Sequence, residues 1–578
     1  MSLKRRIKKY DVEIRSILDI NSTFWGYLKM FRKNDGHLQN NLFNSLNGMD
    51  SRLAHKLQKS WAARFYEHVF CEIDESLFIP LYSSDNGRPN FPVNIFIGLE
   101  LIKHLKEYTD EALLDEYAFN YQISFALGLR TLGERYFATR TLYEFRSRLY
   151  NYSLEHPDTA DLMFAQFEKL TDHFIKVAGL STSEGRMDST QIMSNIKLGG
   201  RLSLAYDVLA CGVKALPEIL LNDSLKIFLK ADYKTQFLYQ LKATDIFSRI
   251  QSVINHCVEL LRLVEGQPEL KDNPAIQIVD RFLKEQATFI EEQNQWIAKG
   301  NREISSKALQ SAHDGNATYR KKGGKHHVGY ALNLLETCAD ENPVQIVTHF
   351  EIASNTTSDI EMLNGSLPKA EELGVKDLFT DGGYYSPKIV EEAEAHGIKL
   401  HYTDMTGRKT SSNKLPYSSF TIQDKEKIVL CPAKQAPLRT NFNEKNGILS
   451  AHFKLEICNE CPQKETCRVK FQKKDTVLYV SQKALDTEEI RMKITNKEER
   501  KESTSKRAAI EGTNSALKRA HSAGKLKVRG IVKCGLVIGA KIIAHNFRQL
   551  ARFFNGEIRE KAIKKLSTFN QGIPVSIC

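Results

Sequence analysis

Three acidic side chains, far apart in the chain, each stand where a rigid element would hold them. Asp188 closes the short strand-like segment of SEGRMDSTQIM, and Asp381 ends the apolar run of DLFTDGGYYS. Glu511 lies in RAAIEGTNSALKRA, which has the pattern of a helix with basic neighbours. Because an Asp at a strand end is usually a turn former or a helix cap, each motif alone predicts little. Together, three carboxylates on separate rigid elements are what a two-metal phosphoryl-transfer site requires.

Two cations share the predicted helix face of Glu511. Arg507 precedes Glu511 by four residues and Lys518 follows it by seven. At about 100° per residue, all three side chains point within about 40° of one another. Such a group on a helix is often a surface ion pair that contributes little to stability. A site for DNA ends needs the same face, with the acid as a metal ligand and the cations on phosphate oxygens. Helix geometry alone leaves both interpretations open.

Four of the ten cysteines fall in one short polar stretch. Cys458 and Cys461 form a CxxC pair, Cys467 follows six positions later, and Cys431 lies 27 positions before Cys458. This spacing is typical of a knuckle that holds tetrahedral zinc through thiolates, provided that a hairpin returns Cys431 to the others. Reduced surface thiols are the alternative. The scattered positions of the other cysteines favour a reducing cytoplasm over a disulfide framework.

The positive charge of the chain is concentrated near its C-terminal end. The formal net charge is +12 over 578 residues, and residues 491–565 alone contain 20 Lys and Arg against 6 Asp and Glu. This excess predicts a polyanionic partner, most simply nucleic acid, with a solvated basic surface as the alternative. The first residues lack the apolar core of a secretory signal. The most apolar stretch, 531–543, is too short and too charged to span a membrane.

The order of helical and extended patterns predicts a mixed α/β architecture of two to four domains. Helical patterns cover 61–150, with helices at 95–105 and 141–150, and a near-neutral stretch at 204–299. Strand and helix patterns alternate after that. The predicted strands are 326–337, 343–353, 375–381 and 398–404, and the predicted helices are 359–373 and 387–397. The Cys-bearing insertion comes next at 420–485. The Glu511 helix and an apolar core helix at 535–554 complete the pattern.

The order and surroundings of the three carboxylates resemble those of the DDE transposases of bacterial insertion sequences. RMDST resembles the first-Asp strand of that family, TDGGYYS the second-Asp strand, and RAAIEGTNSALK the helix of the third carboxylate. GRPNFPVN, TLYEFRSRL, SAHDGNATYRKKGGKHHVGY and the Cys-bearing insertion resemble one branch of the group. The family often has Tyr three residues before the Arg of this helix, whereas this chain has Thr504. The resemblance spans residues 61–555, and these motifs are specific in this order although each is weak alone.

The resemblance implies an α/β (α+β) fold with a ribonuclease H-like mixed-sheet catalytic core. The implied order is a basic helical segment at 1–60, a helical DNA-binding domain at 61–180, a catalytic domain at 181–555 and a tail at 556–578. The catalytic domain would contain a helical insertion at 204–300 and the Cys-rich insertion at 420–485.

The resemblance also implies roles for particular side chains. Asp188, Asp381 and Glu511 would be catalytic and would bind two Mg²⁺ or Mn²⁺ ions, about 4 Å apart. The four cysteines would hold a structural Zn²⁺. The implied DNA contacts come from Arg507, Lys518, Arg519, Lys321 and Lys322. Asp314 would join them, although a solvated loop explains Asp314, Lys321 and Lys322 equally well.

The implied function is transposition, in which DNA is cut at the terminal inverted repeats of a transposon and its 3′-hydroxyl is transferred into target DNA. The implied partners are double-stranded DNA and a second copy of the chain in a synaptic homodimer. The implied location is the bacterial cytoplasm, at the nucleoid and away from membranes. A metal-dependent endonuclease that never rejoins DNA would use the same carboxylates. A non-catalytic DNA-binding descendant would be favoured by loss of a carboxylate, and all three are present.

Overall fold

The structure is a computed structural model that describes eleven segments of the chain. They are residues 31–39, 44–83, 89–157, 161–197, 199–239, 244–322, 324–403, 414–444, 446–493, 497–554 and 556. The predicted basic segment 1–60 lies largely outside the described residues, and so does the predicted tail 556–578. Within the described segments, no helix is long and apolar enough to cross a membrane.

Seven α-helices of the described segments precede the first strand. They are α1 (Ser51–Gln58), α2 (Trp61–His68), α3 (Val93–Lys106), α4 (Asp110–Phe119), α5 (Tyr121–Ala126), α6 (Thr139–Glu155) and α7 (Leu162–Ala178). The predicted helices at 95–105 and 141–150 are confirmed as parts of α3 and α6. The helical pattern places Arg146 on the polar face of α6. Its guanidinium is instead partly buried, because it forms ion pairs with Glu100 and Asp110.

Strand β1 (Glu184–Ile192) follows, and the chain then leaves the sheet for an insertion with its own apolar core. This insertion contains α8 (Arg201–Ala215), α9 (Asp223–Lys226), α10 (Tyr233–Leu238), α11 (Asp245–Leu263), α12 (Pro268–Lys271), α13 (Pro274–Gln286), β2 (Ala287–Ile290) and β3 (Gln295–Ala298). The hairpin of β2 and β3 corrects the prediction of a wholly helical 204–299. Its strands are short runs rich in aromatic and β-branched residues, and Phe289 packs opposite Trp296.

Among the described residues the central sheet is mixed and has six strands. The elements after the insertion are β4 (Thr318–Lys322), β5 (Lys325–Thr337), β6 (Val347–Ser354), α14 (Asp359–Glu372), β7 (Asp377–Thr380), α15 (Pro387–Ala395) and β8 (Lys399–Tyr402). The strand order is β6-β5-β1-β7-β8, and β4 pairs with the first part of β5. Strand β5 is antiparallel to its partners, whereas β1, β7 and β8 run parallel. The predicted strands and helices of this region are confirmed to within a few residues.

The Cys-bearing insertion is built from short antiparallel strands. Its elements are β9 (Thr421–Gln423), β10 (Lys427–Leu430), β11 (Arg439–Asn443), β12 (Ile448–Lys454), α16 (Leu455–Asn459), β13 (Lys470–Phe471) and β14 (Asp475–Ser481). Strands β9 and β10 form a hairpin, and the others form a four-stranded sheet in the order β11-β12-β14-β13. Although the stretch is polar overall, alternate residues such as Leu449, Ala451 and Phe453 bury a small apolar cluster.

Three helices close the described part of the chain: α17 (Gln482–Lys493), α18 (Lys497–Ala520) and α19 (Ile531–Phe554). The predicted core helix at 535–554 is confirmed, because Ile538, Ile542 and Phe547 of α19 are buried. Helix α19 packs against α3, α7 and β6, so the N-terminal helices and one face of the sheet share a single apolar core. The opposite face is covered by α14 and α15. The result is a layered α/β structure in which α18 contacts β1 and β7.

Candidate active site

Asp188 lies at the centre of β1, not at the strand end that the sequence predicts. Strand β1 pairs with β5 along most of its length but with β7 only over Glu184–Arg186. Because β7 ends at Thr380, the edge of β1 beyond Arg186 is left for helix α18 to cross. Side chains alternate along a strand, so Asp188 turns toward α18 while Ser189 turns the other way and donates to Asp359 at 2.8 Å.

Asp381 follows the last residue of β7 and caps the turn that comes next. Its Oδ1 accepts a 2.7 Å hydrogen bond from the backbone N–H of Gly383. A Cβ atom on Gly383 would lie 2.9 Å from this same oxygen and 3.2 Å from Asp359. Glycine therefore allows the backbone to approach the carboxylate closely enough to fix its orientation. The second Gly of the TDGGYYS motif thus has a local structural reason.

The guanidinium of Arg507 contacts all three predicted carboxylates. Its Nη1 donates to Glu511 at 2.9 Å, one helical turn along α18. Its Nη2 lies 3.5 Å from Asp188 and 3.7 Å from Asp381. The structure therefore brings the end of β7, the middle of β1 and one face of α18 together around a single cation. The Arg507 side chain is 12% exposed and that of Glu511 is 62% exposed, so the cluster opens to solvent on the Glu511 side.

Asn514 is a member of this cluster that the sequence analysis did not identify. Its Nδ2 donates to the second oxygen of Asp188 at 2.9 Å, and the residue is buried. Its amide oxygen and the Nε of Arg507 have no hydrogen-bond partner among the described residues. The sequence does contain a signal for Asn514, because residues 507, 511, 514 and 518 repeat at the four- and three-residue spacing of one helix face. An amide at this spacing is not identified when only charged side chains are considered.

Burial and neighbouring charge set the electrostatics of Asp188. Desolvation raises the pKa of its carboxyl, Arg507 opposes that rise, and the nearby Asp381 adds to it. Three carboxylates share one guanidinium in direct contact, so the cluster carries an excess of negative charge. Such an excess is favourable only when further cations approach. The arrangement is therefore suited to binding positive charge.

Two of the predicted DNA-contacting lysines lie near the carboxylates. Lys518 is half-buried on α18, and burial lowers the pKa of its ammonium while Asp188 acts in the opposite direction. Lys322 also acts electrostatically on Asp188. Lys321 and Lys322 are exposed at the end of β4, not in a loop, so one points to each face of the strand. Arg519 is exposed on α18 next to Lys518.

Asp314 is buried, contrary to both interpretations of the sequence, a DNA contact and a solvated loop. It is 2% exposed and accepts hydrogen bonds from Ser194 and Tyr330 and from the backbone N–H of Ala317 and of Gly530. These partners come from the end of β1, from β5 and from the segment that enters α19. Asp314 therefore ties the sheet to the C-terminal helices, and its role is structural.

The four predicted zinc ligands lie in one neighbourhood of the Cys-bearing insertion. Cys431, Cys458 and Cys467 pack against the same apolar cluster. Burial raises the pKa of the Cys458 thiol, and Cys467, Cys431 and Cys461 act in the same direction. The Cys458 sulfur accepts a 3.0 Å hydrogen bond from the Thr476 hydroxyl. Cys431, which directly follows β10, therefore lies near the CxxC pair although β10 pairs with β9 and not with β12.

Across the described segments, no group of three or more His, Cys, Asp or Glu side chains lies close enough to hold one metal ion. In the carboxylate cluster, the Arg507 guanidinium lies among the oxygens. The donor chemistry nevertheless fits. Three carboxylates are hard oxygen donors of the type that Mg²⁺ and Mn²⁺ prefer, and four thiols suit zinc.

Two segments of the chain match family models of transposases. Residues 430–551 match the model described as a transposase DDE domain, and residues 54–148 match the model described as a transposase domain (DUF772). The resemblance to DDE transposases is confirmed. No curated protein and no solved structure matches the chain.

The transposase DDE match includes the Arg507 and Glu511 helix and all four cysteines of the insertion. The second transposase match covers the last part of α1, helices α2 to α5 and the first part of α6. Asp188 and Asp381 lie outside both matched segments, so their membership of the site depends on their contacts with Arg507. The matches indicate a transposase and leave its reaction to be derived from the site.

Proposed function

We propose that this protein is a DNA transposase that cuts DNA at transposon ends in a metal-dependent reaction and joins the freed 3′-hydroxyl to target DNA. The observation that carries the proposal is the convergence of Asp188, Asp381 and Glu511 on one guanidinium. The transposase family matches and the basic C-terminal segment support DNA as the substrate. The protein would act as a homodimer on two DNA ends.

We infer that the sheet is of the ribonuclease H type. In chain order its main strands are β1, β5, β6, β7 and β8, arranged as third-second-first-fourth-fifth, and the first, fourth and fifth are parallel. On this interpretation residues 181–555 are the catalytic domain. It is interrupted by the helical insertion at 204–300 and the Cys-bearing insertion at 420–485. Residues 61–180 would be the DNA-binding domain.

The proposed reaction has two displacements at phosphorus. In cleavage, water attacks the phosphodiester at the transposon end, the bond from phosphorus to the 3′-oxygen breaks, and that oxygen leaves as a 3′-hydroxyl. In joining, the same hydroxyl attacks a phosphodiester of target DNA, whose own 3′-oxygen leaves. Neither step requires a covalent bond between protein and DNA.

Each side chain of the cluster would have a separate role in this reaction. Asp188, Asp381 and Glu511 would hold Mg²⁺ or Mn²⁺, and a divalent cation stabilises the charge that develops on phosphate oxygens. Asn514 orients Asp188, and the N–H of Gly383 orients Asp381. Arg507 and Lys518 would neutralise the phosphates beside the reacting bond, as would Lys322. Lys321 and Arg519 would bind DNA at greater distance from the carboxylates.

For the Cys-bearing insertion, we propose a structural zinc held by Cys431, Cys458, Cys461 and Cys467. Metal content of the purified protein under reducing conditions tests it, with one zinc per chain expected. Cys461→Ser should release the metal and expose the insertion to proteolysis, whereas Cys338→Ser, a substitution at a buried thiol outside the insertion, should leave the metal bound. Protein that purifies without zinc would reject the site.

Cleavage of the DNA that flanks the gene of this protein tests the proposed function. With Mg²⁺, the wild type should cut at one defined phosphodiester at each end, and added plasmid should become joined to the 3′ ends. Asp381→Asn should abolish both reactions while leaving DNA binding intact. Asp377→Asn is the matched control, because Asp377 is the first residue of the strand that Asp381 follows and pairs with His401 away from the cluster.

The outcomes separate the candidate functions. Cleavage without joined products would replace transposition by the nuclease alternative. Binding without cleavage in any divalent metal would support the non-catalytic alternative. Cleavage by Asp381→Asn at the wild-type rate would show that the wrong carboxylate has been assigned.

A further inference from the structure

A cleft of about 580 Å³ lies between the N-terminal helices and the segment that joins α18 to α19. Helices α3 and α6 form one wall, and residues 522–528 with the first turns of α19 form the other. Its apolar side chains include Leu149, Leu526 and Leu536. The cleft is separate from the carboxylate cluster, since none of its lining residues belongs to that cluster. Neither transposase match assigns it a role.

The charges that line the cleft do not cancel. Each acidic residue of the cleft forms an ion pair with a cation that also lines it. Glu100 pairs with Arg146, and Glu107 pairs with Lys541. Asp110 pairs with both Lys103 and Arg146. Three further lysines, Lys525, Lys527 and Lys533, form no ion pair with a described residue and are exposed. Lys527 is close enough to Lys541 to lower the pKa of its ammonium. Three uncompensated positive charges therefore face one cleft.

Aromatic rings stand beside these charges. The Lys533 ammonium lies 4.1 Å from the centroid of the Tyr150 ring. Tyr143 precedes Tyr150 by seven residues, so both rings project from the same face of α6, and Tyr143 is 45% exposed. Ammonium groups, aromatic rings and an apolar wall in one groove are the combination by which proteins hold single nucleic-acid strands. Phosphates contact the cations, and bases stack on the rings.

The backbone links this cleft to the carboxylates. The end of β1 pairs with the joining segment, because the Met193 N–H donates to the carbonyl of Gly524 at 3.0 Å and Leu526 donates back at 2.8 Å. Met193 is five residues beyond Asp188, a span of about 17 Å along an extended strand. A DNA strand that keeps its duplex rise of about 3.4 Å per nucleotide covers this span in about five nucleotides, so only the base at the cleft needs to leave the stack.

We propose that the cleft binds the DNA strand about five nucleotides from the phosphate that is cut. The phosphates would lie on Lys525, Lys527 and Lys533, and an unstacked base would lie against Tyr143 and Tyr150. The proposal rests on the proposed function, because it takes DNA as the substrate. It adds a second contact region that would hold the strand in register with the carboxylates.

Salt dependence of DNA binding tests the charge argument. Combined Lys525→Ala, Lys527→Ala and Lys533→Ala substitutions should reduce the slope of log affinity against log salt by about 2 to 3, since each phosphate contact contributes about 0.9. The control combines Lys214→Ala, Lys230→Ala and Lys271→Ala. These lysines lie in the helical insertion and form no ion pair with a described residue, and their removal changes the net charge equally. An equal slope for both triple variants would overturn the proposal.

Photocrosslinking tests the position of the bound strand. A series of flanking DNAs would each carry a single 5-iodouracil, at a different position up to ten nucleotides from the transposon end. Crosslinked peptides would be sequenced after irradiation. Adducts at Tyr143 or Tyr150 are expected from positions near the fifth nucleotide, and Tyr150→Ala should lose its share of them. Adducts confined to other regions would contradict the proposal. It would also be contradicted if an acidic peptide or a small anion protected the cleft residues from chemical modification while DNA did not.

The failure of this proposal and the failure of the proposed function give different results. Asp381→Asn should retain the wild-type salt slope and crosslinks while losing cleavage. A wild type that binds and crosslinks at the cleft but never cleaves would reject the reaction and retain the cleft. If the wild type cleaves normally but gives no crosslinks at the cleft, and the Lys525, Lys527 and Lys533 triple variant has the same salt slope as its control, the cleft is rejected and the reaction is retained.

Discussion

Two arginine–carboxylate clusters lie on the same face of β1, only two residues apart, and they are built differently. Arg186 donates to Glu336 at 2.7 Å and to the carbonyl of Lys506 at 3.1 Å, while the Thr513 hydroxyl donates to the second oxygen of Glu336. This first cluster contains one cation and one anion. Arg507, in contrast, spans three carboxylates at 2.9 to 3.7 Å, and its Nε has no partner among the described residues.

The difference separates a structural ion pair from a site. The side chains of Arg186 and Glu336 are 9% and 2% exposed, their charges cancel, and their hydrogen bonds connect β1, β5 and α18. The Arg507 cluster has more negative than positive charge in direct contact and opens to solvent at Glu511. A closed, neutral pair fixes the fold, whereas an open cluster with excess charge can accept a further cation. The following substitutions test this contrast through the free energy of unfolding, measured with EDTA in every sample unless Mn²⁺ is named, and in one case through DNA cleavage.

The largest loss should come from the closed pair. Glu336→Gln keeps the shape of the side chain but leaves Arg186 buried without an anion, which should cost about 3 to 5 kcal/mol. Urea unfolding at pH 7 measures the effect. The double change Arg186→Met with Glu336→Leu removes both charges and should recover much of the loss. If Glu336→Gln unfolds at the wild-type urea concentration, the pair is not the structural element described here.

Removal of the shared cation should have an intermediate effect. Arg507→Ala leaves three carboxylates facing one another and should lower stability by about 1.5 to 3 kcal/mol, the range for hydrogen bonds to charged groups. Replacing EDTA with Mn²⁺ should restore more stability to this variant than to the wild type, because the metal replaces the missing positive charge. Equal stabilisation of the two proteins by Mn²⁺ would argue against a cation site at the carboxylates.

DNA cleavage by Arg507→Ala gives a second measure of the same residue. Loss of a cation beside the reacting phosphate should lower the rate about a hundredfold or more, while the affinity for DNA falls far less. Arg519→Ala, on the same helix but without these carboxylate contacts, is the matched control and should reduce affinity and leave the rate on bound DNA unchanged. If Arg507 only pairs with Glu511 on a solvated surface, its removal will leave cleavage near that of the wild type.

A smaller effect is expected at Asn514. Asn514→Ala removes the hydrogen bond to Asp188 and should cost about 1 kcal/mol. Since Asp188 would lose its fixed orientation, cleavage should fall more than stability alone explains, and Asn514→Asp should not rescue it because a fourth carboxylate cannot donate. Asn514→Ala with wild-type cleavage would mean that the orientation of Asp188 is set elsewhere.

The smallest effect, and one of opposite sign, concerns Asp188 itself. Burial raises its folded-state pKa above the unfolded value of about 3.9, so its contribution to stability is present below that value and is lost as pH rises through the folded-state pKa. At pH 7 in EDTA, Asp188→Asn should therefore be at least as stable as the wild type, and the difference should disappear toward pH 4. A clear loss of stability at pH 7 would place Asp188 with Glu336 as a structural residue.

The elements of the sheet could be predicted from sequence because each carries a strong local signal. Lys325–Thr337 is a long apolar strand, and the helices of 359–372 and 387–395 begin at Ser358 and at Pro387 with recognisable caps. The hairpin at 287–298 was not predicted, since two four-residue strands inside a helical stretch give almost no periodicity.

The charged members of the candidate site could be named from sequence, whereas Asn514 was not identified and the geometry of the site could not be predicted. The motifs identify Asp188, Asp381 and Glu511, yet the position of Asp188 in mid-strand depends on where β7 ends, which is a tertiary property. The burial of Asp314 depends on partners more than 100 residues away, such as Ser194 and Gly530. Local patterns cannot show such contacts, so a polar residue in a basic stretch looks exposed until the fold is known.

Binding of Mn²⁺ to the full-length protein tests the central claim, that three carboxylates from separate elements form one cation site. Isothermal titration calorimetry would compare the wild type with Asp188→Asn, Asp381→Asn and Glu511→Gln, and with Asp377→Asn as the control. Each of the three substitutions should remove the same binding event or weaken it at least about tenfold, a loss of roughly 1.4 kcal/mol, and the control should bind as the wild type does. Wild-type binding by any of the three variants would contradict a shared site.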